Sequence, residues 1–196
     1  MNKKIAILSA CFFEGAALMA MELCAARLLI PLYGGTSKVW ATVLAITVGG
    51  LSIGYYLGSH FANSNYKVRI LKWSLFISAI YILLEYKYIK NLCLALVELD
   101  FTVGLIASAV LVILIPIISF GIISPVATSL LSVNSNDTSK SSGLIYMIST
   151  IGGIMSTFVF GLIVLPDFGL QYSFQLIGII LLLAFTSVIL IKNEIS

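Results

Sequence analysis

Three charged residues stand inside an apolar run long enough to cross a bilayer: Glu14, Glu22 and Arg27, all within residues 5–31. A carboxylate near the middle of a membrane costs at least about 2.5 kcal/mol, so it must face protein or water rather than lipid. Eight residues at 100° each set Glu14 and Glu22 about 80° apart around a helix, close enough to look into one cavity. The chemistry open to them is binding of a cationic small molecule or proton coupling. The plainer alternative is a structural polar network that fixes helix packing. Arg27 follows Glu22 by five residues, about 140° around the helix, which is poor geometry for an intrahelical pair. It is expected to pair elsewhere or to snorkel outward. Other chemistry is sparse. Cys11, Cys24 and Cys93 lie in apolar context at no metal-ligand spacing, as unpaired membrane thiols do. His60, the single histidine, holds no metal site alone.

The elements that must position these groups follow from composition. The 196-residue chain is 60% apolar and 10% charged, with mean hydropathy +1.12. Soluble domains run at about 45–50% apolar and about 25% charged, so a soluble enzyme and a disordered chain are excluded. The net charge of +3 lacks the clustered basic face that nucleic-acid binding needs, the densest group being Lys67, Arg69 and Lys72.

A spanning helix needs about 20 mostly apolar residues. Six stretches qualify: 5–31, 39–59, 69–88, 101–124, 143–165 and 171–191. The third is the weakest, trimmed by Lys72 and Glu85. The segment 89–100 is too short to span and reads as an interfacial amphipathic piece. The opening MNKK and its apolar run mimic a signal peptide, but Glu14 and Glu22 and the length of the run predict a retained first helix. With the N-terminus inside, one side carries Lys3, Lys4, Lys67, Arg69, Lys72, Lys140 and Lys192, the other Lys38, Lys87 and Lys90. Seven against three predicts both termini in the cytoplasm of a multi-pass protein of the inner (plasma) membrane. The sequon Asn136-Asp137-Thr138 then falls on the cytoplasmic side and carries no weight.

An internal repeat is visible. Residues 47–58, TVGGLSIGYYLG, recur as 150–161, TIGGIMSTFVFG, at an offset of 103. Helices two and five are therefore equivalent, and each half, about 1–100 and 101–196, holds three helices. Two copies of an odd-numbered unit in one chain must be inverted with respect to each other. The expected fold is all-α: a single six-helix transmembrane domain built as a 3+3 inverted repeat, half of a major-facilitator-like architecture. Gly50, Gly54 and Gly58 share one face of helix two, and Gly153, Thr157 and Gly161 one face of helix five. Small residues at that spacing let helix backbones approach closely. Pro116 and Pro125 lie in the fourth apolar run and predict kinks, with Ser119, Ser124, Thr128 and Ser129 near them.

The stretch 22–62, ELCAARLLIPLYGGTSKVWATVLAITVGGLSIGYYLGSHFA, resembles the first membrane signature of the spermidine-synthase-like (fused major facilitator/spermidine synthase) family. The matching positions are Glu22, Arg27, Leu28, Leu29, Pro31, Gly34, Trp40, Gly50, Leu51, Gly54, Tyr55 and Gly58. A second signature, 143–169, matches at Gly143, Tyr146, Thr150, Gly152, Thr157, Gly161, Leu165, Pro166 and Gly169. The resemblance implies the membrane half of that family, and it adds Trp40 and Tyr146 to Glu14, Glu22 and Arg27 as candidate substrate contacts. Members of the family usually continue into a soluble synthase domain with a nucleotide site. No G-x-G-x-x-G follows a strand here, so no enzymatic activity, cofactor or metal is expected.

The function expected first is that of a half-transporter-like protein, homodimeric or set against a partner subunit, handling a small amine or cationic metabolite near Glu14 and Glu22. The alternative is a non-transporting membrane subunit that anchors or regulates a separate aminopropyltransferase- or methyltransferase-like enzyme. An intramembrane enzyme using Glu14 or Glu22 as a base lacks a second catalytic group.

Overall fold

The computed structural model describes residues 3–132 and 137–189, with the backbone alone at 85–87. Asn136 of the sequon and Lys192 of the charge count lie outside the described residues. Among the described residues the fold is all-helical, with six helices. They are α1 (Lys3–Tyr33), α2 (Ser37–Phe61), α3 (Lys67–Leu96) and α4 (Phe101–Leu131), then α5 (Thr138–Val159, carried on by the wider turns Phe160–Phe168) and α6 (Gly169–Ile189).

Among the described residues four stretches are long and apolar enough to cross a membrane: Lys3–Tyr33, Ser37–Phe61, Phe101–Leu131 and Thr138–Ile189. The last runs for 52 residues, far more than the ~20 a bilayer requires. It divides at Gly169, whose φ of +77° is open to glycine and strained for other residues. Helix α3 has 30 residues but is not among the apolar four, its first turns carrying Lys67, Arg69 and Lys72. Of the segment 89–100, expected as a separate interfacial piece, residues 89–96 continue α3 instead. They hold neither proline nor glycine to stop the helix. The stop comes at Asp100, whose side chain accepts from the backbone N–H groups of Thr102 and Val103 and so caps α4.

Hydrogen bonds fix which helix ends lie together. At one end Lys67 Nζ donates to Ser129 Oγ over 2.7 Å, Ser129 Oγ donates to the Ala62 carbonyl over 2.9 Å, and Ser9 and Ser187 meet at 3.4 Å. At the other end the Tyr33 and Ser108 hydroxyls are 2.9 Å apart, and Lys38 Nζ lies 5.3 Å from the centre of the Phe101 ring. Consecutive helices therefore run in opposite directions. Lys67, Arg69 and Lys72 share the first end with the start of α1.

The most extensive pairings are α1 with α5, α2 with α4 and α3 with α6, followed by α1 with α6 and α3 with α4. Helices α1 and α4 form the centre. Their apolar windows are 50% and 56% buried, against 28% for α2 and 33% for the α5–α6 run. Helix α1 is apolar nearly all round its circumference, as a helix enclosed by neighbours must be.

Small residues set how near the backbones come. A Cβ placed on Gly54 would meet the Ile118 carbonyl and sit 2.7 Å from Gly121 Cα. One on Gly58 would lie 2.8 Å from the Ile122 carbonyl oxygen, and one on Gly50 2.8 Å from the Ile117 side chain. The expected stripe of α2 is thus buried against α4. On α5 the stripe is rotated from the one expected. Gly152 and Gly153 meet the α1 backbone at Phe12 and Gly15, with Ser156 buried on the same face. Thr157 is exposed, its hydroxyl turned back onto the Gly153 carbonyl at 2.9 Å, and Gly161 is in ordinary contact with Leu23 at 3.7 Å. The physical reason is that two adjacent glycines shift the closest approach one position round the helix.

Pro116 follows a five-residue stretch of wider helix, Val110–Leu114. A proline has no N–H to give, and the Leu111 carbonyl five residues before it accepts from the Tyr81 hydroxyl of α3. A neighbouring helix thereby satisfies a backbone group near the proline, the usual condition for a proline inside an apolar helix. The helix continues through Pro125 to Leu131.

Candidate functional site

Glu14 lies eleven residues into the 31-residue α1, about 16 Å along it. Its residue is 3% exposed. The close crossing of α1 and α5 puts it there: a Cβ on Gly15 would collide with the Ser149 backbone and hydroxyl. At that separation Ser149 Oγ reaches Glu14 Oε2 at 3.1 Å and donates to it. Among the described residues the partner of Glu14 is therefore a hydroxyl and not a cation. A buried carboxyl so placed must be neutralised, by a proton or by a bound cation, because an uncompensated charge out of water is too costly.

Two tyrosines lie near this pair: Tyr55 of α2, within electrostatic range of Glu14 and of Tyr146, and Tyr146 itself, one turn before Ser149 on α5. Both rings are partly open, Tyr55 at 38% and Tyr146 at 51% exposure. The group of Glu14, Ser149, Tyr55 and Tyr146 thus draws on three helices. It offers one carboxyl acceptor and three hydroxyls beside two partly exposed aromatic side chains. Such a set suits an ammonium group, which hydrogen-bonds to oxygen and is attracted to the face of an aromatic ring.

Glu22 is half-buried two turns further along α1. It lies against Thr47 of α2. Thr47 is 2% exposed, and among the described residues neither its hydroxyl nor that of buried Ser156 on α5 makes a hydrogen bond.

The remaining expected contacts stand apart. Arg27 is exposed on α1, thirteen residues from Glu14, or about 20 Å along the helix. Trp40, 42% exposed, lies in the first turn of α2 and fifteen residues from Tyr55, about 22 Å away along that helix. Of the five residues expected to bind substrate, Glu14 bonds to Ser149 of α5, one turn from Tyr146 on that helix. The structure leaves Glu22 on the same helix as Glu14 and places Arg27 and Trp40 towards the far end of the bundle. Pro116 and Pro125 lie in α4, outside this group.

Ser149, Tyr55 and Thr47 were not among the expected contacts, although a signal for two of them exists. Helices α1 and α2 form an antiparallel hairpin about Gly34–Gly35. Glu14 lies twenty residues before Gly34 and Tyr55 twenty after Gly35; Glu22 lies twelve before and Thr47 twelve after. Equal arm lengths put each acid level with its hydroxyl. Among the described residues no group of three or more histidine, cysteine, aspartate or glutamate side chains is placed to hold a metal ion. No family model, curated protein or solved structure matches the chain.

Proposed function

We propose that the chain is a six-span, half-transporter-like membrane protein that handles a small amine or other cationic metabolite at Glu14. The observation that carries this reading is the Glu14 carboxyl itself. It is sealed at the close crossing of α1 and α5, partnered by Ser149 rather than by a cation, and flanked by two partly open tyrosines. Helix exchange supports the 3+3 inverted organisation. Swapping α1 with α4, α2 with α5 and α3 with α6 turns the α1–α5 pairing into α4–α2 and α1–α6 into α4–α3, and leaves α3–α6 unchanged. Each of these is a main pairing of the bundle. The likeness of 22–62 and 143–169 to the membrane half of the spermidine-synthase-like family points the same way, towards an amine. In this reading both termini lie on the cytoplasmic side with Lys67, Arg69 and Lys72, and a second copy or a partner subunit completes the assembly.

The test is a melting titration of the purified protein in detergent with amines of graded length, from a monoamine to a triamine. A ligand at one hundred times its Kd stabilises by about 2.7 kcal/mol. The wild type is expected to melt higher with a di- or triamine, and Glu14→Gln, which keeps the Ser149 hydrogen bond, to show no response. Absence of any amine response in the wild type, or an unchanged response in Glu14→Gln, overturns the proposal.

A further inference from the structure

The bundle has a cleft of about 450 Å³ away from Glu14, between the end of α2, the first half of α3 and the middle of α4. Its two ends differ in chemistry. At the basic end of the bundle it is lined by Ser64, Tyr66 and Arg69; two turns along α3 it is lined by Trp73, Ile77 and, from α4, Ile122. Arg69 is exposed, and no acidic side chain lines the cleft. Two more cations, Lys67 and Lys72, flank Arg69 on α3. Tyr66 and Trp73 are 65% and 52% exposed, the aromatic types that settle at the membrane–water boundary. The volume lies within the range of small-molecule sites, and its lining is almost wholly apolar below the arginine.

We propose that this cleft holds one anionic phospholipid. The phosphate is gripped by Arg69 with the Tyr66 and Ser64 hydroxyls, and an acyl chain lies along Trp73, Ile77 and Ile122. Arginine suits the headgroup because its planar fork pairs two phosphate oxygens at once. The charge gradient along the cleft matches a lipid end to end: cation at the water level, apolar wall towards the bilayer interior. A free anion would find only the upper end, and a neutral lipid only the lower. The inference rests on the membrane reading of the chain and is independent of the amine site.

The experiment measures retention of lipid by native mass spectrometry, and melting temperature, for the detergent-purified protein mixed with phosphatidylglycerol or phosphatidylcholine. Inorganic phosphate and glycerol phosphate serve as headgroup-only probes. The expected result is retention and stabilisation by phosphatidylglycerol alone. Arg69→Gln should weaken retention about fivefold, as loss of one basic residue near a membrane surface does, and Arg69→Lys should recover part of it. Ile122→Phe, which fills the cleft from α4 with Arg69 intact, should also release the lipid. Lys38→Gln at the opposite end should leave retention unchanged. Equal retention of phosphatidylcholine, retention by Arg69→Gln at the wild-type level, or equal stabilisation by inorganic phosphate overturns the proposal. The amine response of Arg69→Gln separates the two sites, since it should equal that of the wild type.

Discussion

Gly54 is where the packing of α2 on α4 is most exposed to test. Its missing side chain faces backbone: a Cβ there would meet the Ile118 carbonyl and lie 2.7 Å from Gly121 Cα. The reciprocal Cβ on Gly121 would lie 2.8 Å from Gly54 Cα. No flexible side chain can give way, so Gly54→Ala must push two helices apart. Overpacking costs about 1–3 kcal/mol, and a backbone-on-backbone clash belongs at the upper end. Against this, alanine is better than glycine in a helix by about 1 kcal/mol. The net loss is about 2 kcal/mol, a fall of about 4–8 °C in melting temperature for a chain of this size. Gly49 supplies the control, because a Cβ there meets nothing within 4 Å. Gly49→Ala should hold or raise the melting temperature by up to about 2–4 °C, having the helix gain without the clash. The double variant Gly54→Ala/Gly121→Ala should cost less than the two single losses added, since one separation of the helices relieves both contacts. Thermal melting of the wild type, Gly54→Ala, Gly121→Ala, the double variant and Gly49→Ala in one detergent decides the matter. If Gly54→Ala melts with the wild type while Gly49→Ala falls, the α2–α4 crossing is not where the structure puts it.

Two further substitutions probe the polar groups. Ser149→Ala removes the donor to Glu14, and leaving a buried polar group without its partner costs about 1–3 kcal/mol. The variant should melt below both the wild type and Glu14→Gln, and equal melting of all three would show that the buried carboxyl does not depend on Ser149. Tyr81→Phe removes the donor to the Leu111 carbonyl beside Pro116. Hydrogen bonds between membrane helices average about 0.6 and reach about 1.7 kcal/mol, so a small loss of melting temperature is expected, and no loss would show that the carbonyl has another partner.

The helices themselves were legible because apolar length is a one-dimensional property. The runs 5–31, 39–59 and 101–124 sit inside α1, α2 and α4, and the stripe Gly50, Gly54, Gly58 faces another backbone as its spacing requires. Facing is harder to read. Thr157 shares a face with Gly153 by spacing alone, yet the adjacent pair Gly152 and Gly153 turns α5 so that Ser156, not Thr157, is buried against its neighbours. The partner of Glu14 was further out of reach, because Ser149 stands 135 residues along the chain. A serine in an apolar helix carries no mark of the acid it will meet. Tyr55 and Thr47 differ in this respect: the hairpin turn at Gly34–Gly35 places them level with Glu14 and Glu22 by counting along two arms, without knowledge of the fold.

The repeat sharpens where chemistry can lie. At its offset of 103 residues the glycines are largely kept: Gly49, Gly50 and Gly58 fall on Gly152, Gly153 and Gly161, while Gly54 falls on Thr157. The two acids and the serine donor are not. Glu14 and Glu22 fall on Ile117 and Pro125, and Ser149 falls on Ile46. No shift of alignment changes this, since α4 holds no charged residue from Phe101 to Leu131. The two close crossings, α1 on α5 and α2 on α4, therefore share a construction in small residues but differ in content. One encloses a carboxyl and its serine donor, the other aliphatic side chains and backbone. A purely structural need for a polar clamp at a glycine crossing would apply equally to both, and the α2–α4 crossing packs without one. The acid in α1 is thus not demanded by the packing that the repeat encodes, and this asymmetry between otherwise matched crossings is what favours a ligand role for Glu14 over a scaffold role.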